Sequence, residues 1–370
     1  MDKERNAAEE TVSSEGKDTL PKKKNRFIWS LLSIVIAAAT IWAVIAQSKS
    51  FSLQKLWEEL GHAHPVWILS AVASMILYIC FEAMALLCIL REFGYKLSFR
   101  RGFVYSSADI YFSAITPSAT GGQPASAYFM RHDKVPTTLA AVVLLANLLM
   151  YTCSTVGIGV LSTAIAPRTF IRFGTFSRIL VIIGYMTQVA LLFLIILLIF
   201  KEKIILSIGN GLLTFLGKIK IIKKVDEKKE KFAKSMNEYR DHATALKGKR
   251  KMLFKVFLLN MAQRIAQLLV TVFTYLALGN PLHAIRAFSL QAYVSIGAYC
   301  IPIPGAMGIT DYMMIDGFSR IEDVPQLMTE SRTLTFELLS RTLSFYSCIF
   351  ICGLTVLISY LIHKKRRSEQ

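Results

Sequence analysis

Long apolar blocks set the first limit on how this chain of 370 residues can fold. Hydrophobic residues make up 54% of the sequence and charged residues only 18%, and the apolar residues occur in blocks. About 20 apolar residues suffice for a helix to cross the roughly 30 Å hydrocarbon core of a bilayer. The sequence therefore predicts an all-α polytopic membrane protein. We assign six complete spans, at residues 27–46, 66–90, 135–166, 179–200, 252–278 and 336–362.

Two further apolar stretches, residues 106–130 and 284–318, are interrupted by proline and glycine. The first contains TPSATGGQP at 116–124, and the second contains PIPGAMGITD at 302–311. Unpaired backbone groups in hydrocarbon cost several kcal/mol, so non-helical chain at membrane depth has to face protein or water. A simple kink is the structural alternative, but discontinuous helices of this kind mark binding sites in transporters. We therefore predict two re-entrant broken helices.

The positions of lysine and arginine predict the topology. Basic residues lie between the apolar blocks, and 15 of the 43 fall in residues 201–251. Because basic loops stay in the cytoplasm, we expect a multi-pass protein of the cell membrane with both termini inside. Residues 1–26 are then a disordered basic cytoplasmic tail, 27–363 the transmembrane domain and 364–370 a second basic tail. The two breaks enter from opposite faces in this topology, which allows an inverted repeat whose tips meet near the midplane.

The long basic segment, residues 201–251, contains a helical stripe. Six apolar positions recur at spacings of 7, 4, 3, 4 and 3 with lysines around them, which predicts a basic amphipathic helix. Two interpretations stay open: the helix lies on anionic lipid, or it packs against other loops of the protein. The stripe consists of Val225, Phe232, Met236, Tyr239, Ala243 and Leu246.

Ionisable residues inside apolar segments are candidates for function, because burying one at the centre of a membrane helix costs about 2.5 kcal/mol or more. Arg264 lies about 12 residues into its span, beyond easy snorkelling, and suits a lipid phosphate. Pairing of Arg264 with Glu82 or Asp109 is the structural alternative. Asp109 and Asp311 lie beside the two breaks and suit a cationic head group or a coupling proton, although Asp311 could instead cap a half-helix.

The predicted substrate site combines both breaks with Arg264. Glycines allow close approach of the backbone, and prolines, including Pro124 and Pro302, interrupt the helices. Glu337 and Arg341, four residues apart, are expected to pair with each other. The substrate-binding residues are Thr116, Pro117, Gly121, Gly122, Gln123, Arg264, Pro304, Gly305 and Gly308, with Asp109, Asp311 and Glu82 for charge balance or coupling.

Several function classes are disfavoured by the sequence. We find no nucleophile and base pair, no nucleotide-binding loop and no metal-ligand spacing, so we predict no catalytic residues, metal or cofactor. The six cysteines lie in apolar segments and are expected to serve packing. The net charge of +18 does not predict a nucleic-acid partner, since the basic residues lie in loops between apolar blocks.

The two broken motifs together resemble the transmembrane region of lysylphosphatidylglycerol synthase and its stand-alone, flippase-like relatives. The similarity lies in TPSATGGQPASAYFMR at 116–131, in PIPGAMGITD at 302–311, and in the order of spans over about 27–362. In the full-length relatives, known as multiple peptide resistance factors, this region resembles the module that moves aminoacylated phosphatidylglycerol between leaflets. A separate soluble domain makes that lipid there, and the present sequence carries no such domain. Ala306 stands where a second glycine is usual, and Asp311 stands where glutamate is usual.

The resemblance implies a translocase for a membrane phospholipid, such as aminoacyl-phosphatidylglycerol, or for a polyprenyl lipid, with a link to antibiotic resistance. Two alternatives remain. One is a lipid-modifying enzyme of the phosphatidylglycerol lysyltransferase type, as the family name implies. The other is a membrane partner that recruits a separate synthase through residues 225–249. The expected partners are membrane phospholipid and anionic lipid at the basic loop, while the sequence leaves the oligomeric state open.

Overall fold

The computed structural model describes residues 61, 63–116, 119–218, 225–279, 284–320 and 330–368. The chain divides into two units, Met1–Phe51 and Ser52–Gln370, and all of the described residues lie in the second. Helices dominate these residues and no strand occurs among them, which confirms the all-α class. The predicted tail at 1–26 and span at 27–46 lie outside the described residues.

Within the described part of the chain, five helices are long and apolar enough to cross a membrane, and they match the remaining five predicted spans. The last of them, Thr333–Ile362, contains a π-helical turn at Thr342–Tyr346. The helices in chain order are α1 (Pro65–Glu92), α2 (Phe99–Ile115), α3 (Gly122–His132), α4 (Thr137–Ile165), α5 (Pro167–Arg172), α6 (Thr175–Phe200), α7 (Glu202–Lys218), α8 (Val225–Lys247), α9 (Arg250–Ala277), α10 (Ala284–Ala298), α11 (Ile309–Phe318), α12 (Glu330–Arg341) and α13 (Ser347–Ser368).

Proline and glycine define several helix ends. Pro65 occupies the first turn of α1, where its missing N–H costs no hydrogen bond. Gly94 and Gly279 follow α1 and α9 with φ angles of 88° and 83°, a conformation that glycine adopts without steric cost. Their N–H groups donate to carbonyl oxygens of the last helical turn, so each helix ends with its final carbonyls partly satisfied.

Helix α9 lies at the centre of the bundle and packs against α1, α4 and α10. Polar side chains link the helices inside this core. Asn260 donates to Asn147 across α9 and α4 at 3.0 Å, and Thr271 on α9 hydrogen-bonds Ser340 on α12 at 2.9 Å. Interhelical hydrogen bonds of this kind help hold membrane helices together, where lipid provides little hydrophobic drive for association.

The first broken stretch folds as a helical hairpin of α2 and α3, named hairpin 1 below. The start of α2 and the end of α3 lie side by side, since Arg101 Nη1 approaches Asp133 Oδ1 at 3.1 Å. Tyr105 also donates a hydrogen bond to Asp133. The chain therefore returns to the side from which it entered, as predicted for a re-entrant element.

The second broken stretch folds as a hairpin of α10 and α11, named hairpin 2, with a 3₁₀ turn at Pro304–Ala306. Both of its outer ends lie beside the segment that joins α4 to α6. Asp316 near the end of α11 accepts hydrogen bonds from Gly174 N at 2.9 Å and Ser177 Oγ at 2.6 Å, and α10 packs on α5. Hairpin 2 thus also returns to its side of entry.

The hairpins enter the bundle from opposite ends of α4 and meet inside it. Hairpin 1 ends next to the beginning of α4, whereas the base of hairpin 2 lies at the far end of α4, beside α5. The 3₁₀ turn of hairpin 2 contacts α2 of hairpin 1. This arrangement agrees with the predicted pair of opposed re-entrant helices. That the two halves of the chain are related as an inverted repeat stays a hypothesis.

Helix α8 forms where the basic stripe predicts it, and it packs on protein. Met236, Tyr239, Ala243 and Leu246 are buried in one apolar cluster with residues of α4 and α6. The Tyr239 hydroxyl donates to the Leu198 carbonyl at 2.9 Å, and burial raises the pKa of Tyr239 to about 12. Of the two interpretations, the structure therefore supports packing against the protein for the apolar stripe.

Candidate functional site

The tip of hairpin 1 is closed by Thr116 and packed through Gly122. Thr116 Oγ1 accepts a hydrogen bond from Gly121 N at 2.9 Å and donates to the Phe112 carbonyl at 2.6 Å. A Cβ at Gly122 would lie 2.1 Å from both Asp109 Oδ1 and Ser113 Oγ, so only glycine fits there without movement. Pro117 lies outside the described residues.

Asp109 connects the two arms of hairpin 1. Its Oδ2 accepts a hydrogen bond from Gln123 Nε2 on α3 at 3.2 Å, and its Oδ1 accepts one from Ser113 at 3.2 Å. Asp109 and Gln123 of the first break are therefore brought together. The hydrogen bond from Gln123 to Asp109 therefore joins α3 to α2.

A second buried acid, Glu82 of α1, lies beside Asp109. The two residues are only 6% and 8% exposed. Glu82 Oε2 accepts a hydrogen bond from Gln263 Nε2 of α9 at 3.0 Å. The interior therefore holds an acidic pair between α1, α2 and α9, at the position where hairpin 1 packs on the central helix.

Arg264, the next residue on α9, is 2% exposed. Its Nη1 donates hydrogen bonds to Tyr151 at 2.8 Å, to Tyr299 at 3.3 Å and to Gln267. Its guanidinium also lies over the rings of Tyr151 and Tyr299, 5.0 and 5.6 Å from the centroids. Such cation–π contacts stabilise a cation without neutralising its charge.

No carboxylate of the described residues forms an ion pair with Arg264, so the expected alternative, pairing with Glu82 or Asp109, is not realised. The three hydrogen-bond partners of Arg264 are uncharged oxygens, and the planar guanidinium fork matches the geometry of a phosphate. Tyr299, at the tip of hairpin 2, is 41% exposed. The buried charge of Arg264 is therefore in direct contact with Tyr299, whose side chain is exposed.

The tip of hairpin 2 depends on left-handed backbone at three positions. Gly305, Ala306 and Gly308 have φ angles of 60°, 48° and 79°. Glycine adopts these angles readily, whereas alanine at 306 is strained. A Cβ at Gly305 would also lie 2.2 Å from Phe345 Cζ, which supports the predicted close approach. Pro304 begins the 3₁₀ turn, as expected for a residue that breaks the helix.

Asp311 caps α11 and pairs with Arg341. Its Oδ2 accepts a hydrogen bond from Gly308 N at 2.9 Å, and its Oδ1 lies 2.9 Å from Arg341 Nε. The predicted pair of Glu337 and Arg341 is present but longer, at 4.0 Å. Asp311 therefore takes the capping role that the sequence left open, together with an ion pair that the sequence did not predict.

Sequence reasoning did not identify Tyr151 and Tyr299, and it paired Arg341 with Glu337 but not with Asp311. A tyrosine hydroxyl inside an apolar span needs a hydrogen-bond partner, and that requirement could have drawn attention to Tyr151 and Tyr299. Asp311 and Arg341 are 30 positions apart, and no local spacing connects them. Among the described residues, no group of three or more His, Cys, Asp or Glu side chains could hold a metal ion.

Comparison with known proteins assigns the family. No curated protein matches the chain. The family model of the lysylphosphatidylglycerol synthase TM region matches residues 30–352, a range that contains both hairpins and the central helix α9. The chain therefore belongs to the lysylphosphatidylglycerol synthase transmembrane-region family, as its two broken motifs predicted.

Proposed function

We propose that this protein moves a phospholipid between the leaflets of the cell membrane, with the head group passing between the two hairpins and its phosphate binding Arg264. The observation that carries the proposal is the buried charge of Arg264 next to the meeting point of two opposed hairpins. Family membership supports a membrane protein in lipid metabolism or translocation. The basic loops support an orientation with both termini in the cytoplasm.

The charge of Arg264 favours an anionic ligand. An ionised group in a low-dielectric interior is costly unless it is paired and hydrogen-bonded. Tyrosine hydroxyls and rings reduce this cost at Arg264 but leave its charge uncompensated. A lipid phosphate would supply the missing negative charge and match the planar guanidinium with two parallel hydrogen bonds.

The neighbouring acids favour a head group that also carries an amine. Gln263, which binds Glu82, directly precedes Arg264 on α9, so the acidic pair and the cation lie at the same level of the bundle. An aminoacylated phosphatidylglycerol has a phosphate for Arg264 and an ammonium group for Glu82 and Asp109. A polyprenyl phosphate would use only Arg264, which makes it the second candidate.

Leaflet exchange in liposomes tests the proposal. Purified protein is reconstituted with head-group-labelled phosphatidylglycerol, its lysyl ester or an undecaprenyl-phosphate lipid. We expect the lysyl ester to exchange faster than in empty liposomes and faster than the polyprenyl lipid. If none of the three lipids moves faster than in empty liposomes, the protein is not a translocase of these lipids, and recruitment of a separate synthase becomes the better explanation.

The acids are tested by their effect on lipid preference. Glu82→Gln should slow exchange of the lysyl ester more than that of phosphatidylglycerol, because only the ester carries the amine. Glu92→Gln is the matched control, since it removes an exposed acid from the same helix. Equal slowing of both lipids by Glu82→Gln would show that the acid does not recognise the amine.

A further inference from the structure

Helix α7 leaves α6 at one end of a candidate span. Only Lys201 separates Phe200, the last residue of α6, from the start of α7. The helix packs beside α8, where a Cβ added at Gly209 would lie 2.3 Å from Phe232 Cε1. Since α8 is buried against α4 and α6 near this end, α7 lies at the level where the apolar span stops.

Part of the apolar surface of α7 is not covered by protein. Ile205 and Leu206 pack on the main apolar cluster, whereas Ile208 is 63% exposed. In the sequence, four apolar residues including Ile208 recur at spacings of four, four and three, which is the pattern of one helix face. They are Ile204, Ile208, Leu212 and Phe215.

The charges of α7 differ from those of α8. Residues 201–218 contain three lysines and one glutamate, with the lysines at both ends. Helix α8 contains six basic and five acidic residues, and its apolar stripe is already buried in protein. Helix α7 therefore combines an apolar stripe in its sequence, an exposed side chain on that stripe at Ile208, and an excess of lysine, which is typical of a helix at a lipid surface.

We propose that α7 is an interfacial helix that binds the anionic lipid surface beside the end of α6. The face that carries the exposed Ile208 enters the boundary between head groups and acyl chains, and the flanking lysines attract lipid phosphates. The direct connection to a membrane span favours lipid over a soluble protein partner, because Ile208 is held at the membrane boundary by the chain itself. This role requires no lipid transport and stands independently of it.

A spin label at Ile208→Cys tests the proposal in liposomes of phosphatidylcholine with phosphatidylglycerol. Because the chain has six native cysteines, the labelled parent protein is measured in parallel and its spectrum subtracted. We expect the label at 208 to be more accessible to oxygen than to a water-soluble nickel chelate. The control, Ala245→Cys on the exposed face of α8, should have the opposite preference.

The lysines are tested in the same experiment. Lys203→Gln with Lys218→Gln should shift the label toward water, and the shift should be larger in vesicles that contain phosphatidylglycerol than in pure phosphatidylcholine. A label at 208 that is in water in both vesicles would overturn the proposal. A label that is immobile and shielded from both reagents would also overturn it, by indicating that protein covers this face.

Discussion

Replacing Gly122 with alanine should open hairpin 1. The new Cβ would lie 2.5 Å from the Asp109 backbone oxygen, and ordinary contact begins at 3.4 Å, so the arms must separate by about 0.9 Å. Overpacking of this kind typically costs about 1–3 kcal/mol, because the backbone oxygen cannot rotate away. At 1.4 kcal/mol per factor of ten, the closed tip should be disfavoured by roughly 5- to 150-fold.

Hydrogen–deuterium exchange of the reconstituted protein measures this opening. We expect faster exchange in Gly122→Ala for the amides of the first turn of α3, together with slower lipid exchange. Gly157→Ala is the matched control, since a Cβ there meets only the flexible end of Met261 at 3.3 Å. Unchanged protection of α3 in Gly122→Ala would refute the close packing of the two arms.

Three further predictions concern the contacts that hold the bundle together. Arg341→Gln should lower the unfolding temperature in detergent, at a cost of about 1–2 kcal/mol, because it leaves the partly exposed Asp311 without its cation. Asp311→Asn in the same chain should recover part of the loss. Asp316→Asn removes the charge that binds the base of hairpin 2 to the start of α6, and it should cost about 1–2 kcal/mol. Amide exchange at the start of α6 should increase, and unchanged exchange would contradict this role. Tyr239→Phe should cost about 1 kcal/mol at neutral pH. Its pKa is raised in the folded state, so wild-type stability should fall as pH rises from 10 toward about 12, and equal alkaline loss in Tyr239→Phe would refute the assignment.

The sequence was informative where chemistry is local. Apolar length predicted the five spans found in the described residues, and the combination of proline and glycine predicted where helices stop. Gly122 and Gly305 were predicted for close approach, and the structure gives each one a specific neighbour that leaves no room for a Cβ. Such positions can be found from sequence because only glycine lacks a Cβ.

Contacts between distant segments could not be predicted in this way. The capping role of Asp311 follows from its place at the start of α11, but its ion pair with Arg341 depends on how α11 packs against α12. The surroundings of Arg264 likewise come from α4 and from the tip of hairpin 2. Helix α7 was not predicted, because the apolar stripe identified within residues 201–251 belongs to α8.

The rate of leaflet exchange in Arg264→Gln tests the central claim most directly. If Arg264 binds the lipid phosphate in the buried interior, losing its charge should remove at least about 2 kcal/mol of interaction and slow phosphatidylglycerol exchange by about 30-fold or more. Lys255→Gln, which removes an exposed charge from the same helix, should leave the rate near that of the wild type. An Arg264→Gln protein that remains folded and exchanges lipid at the wild-type rate would contradict the account.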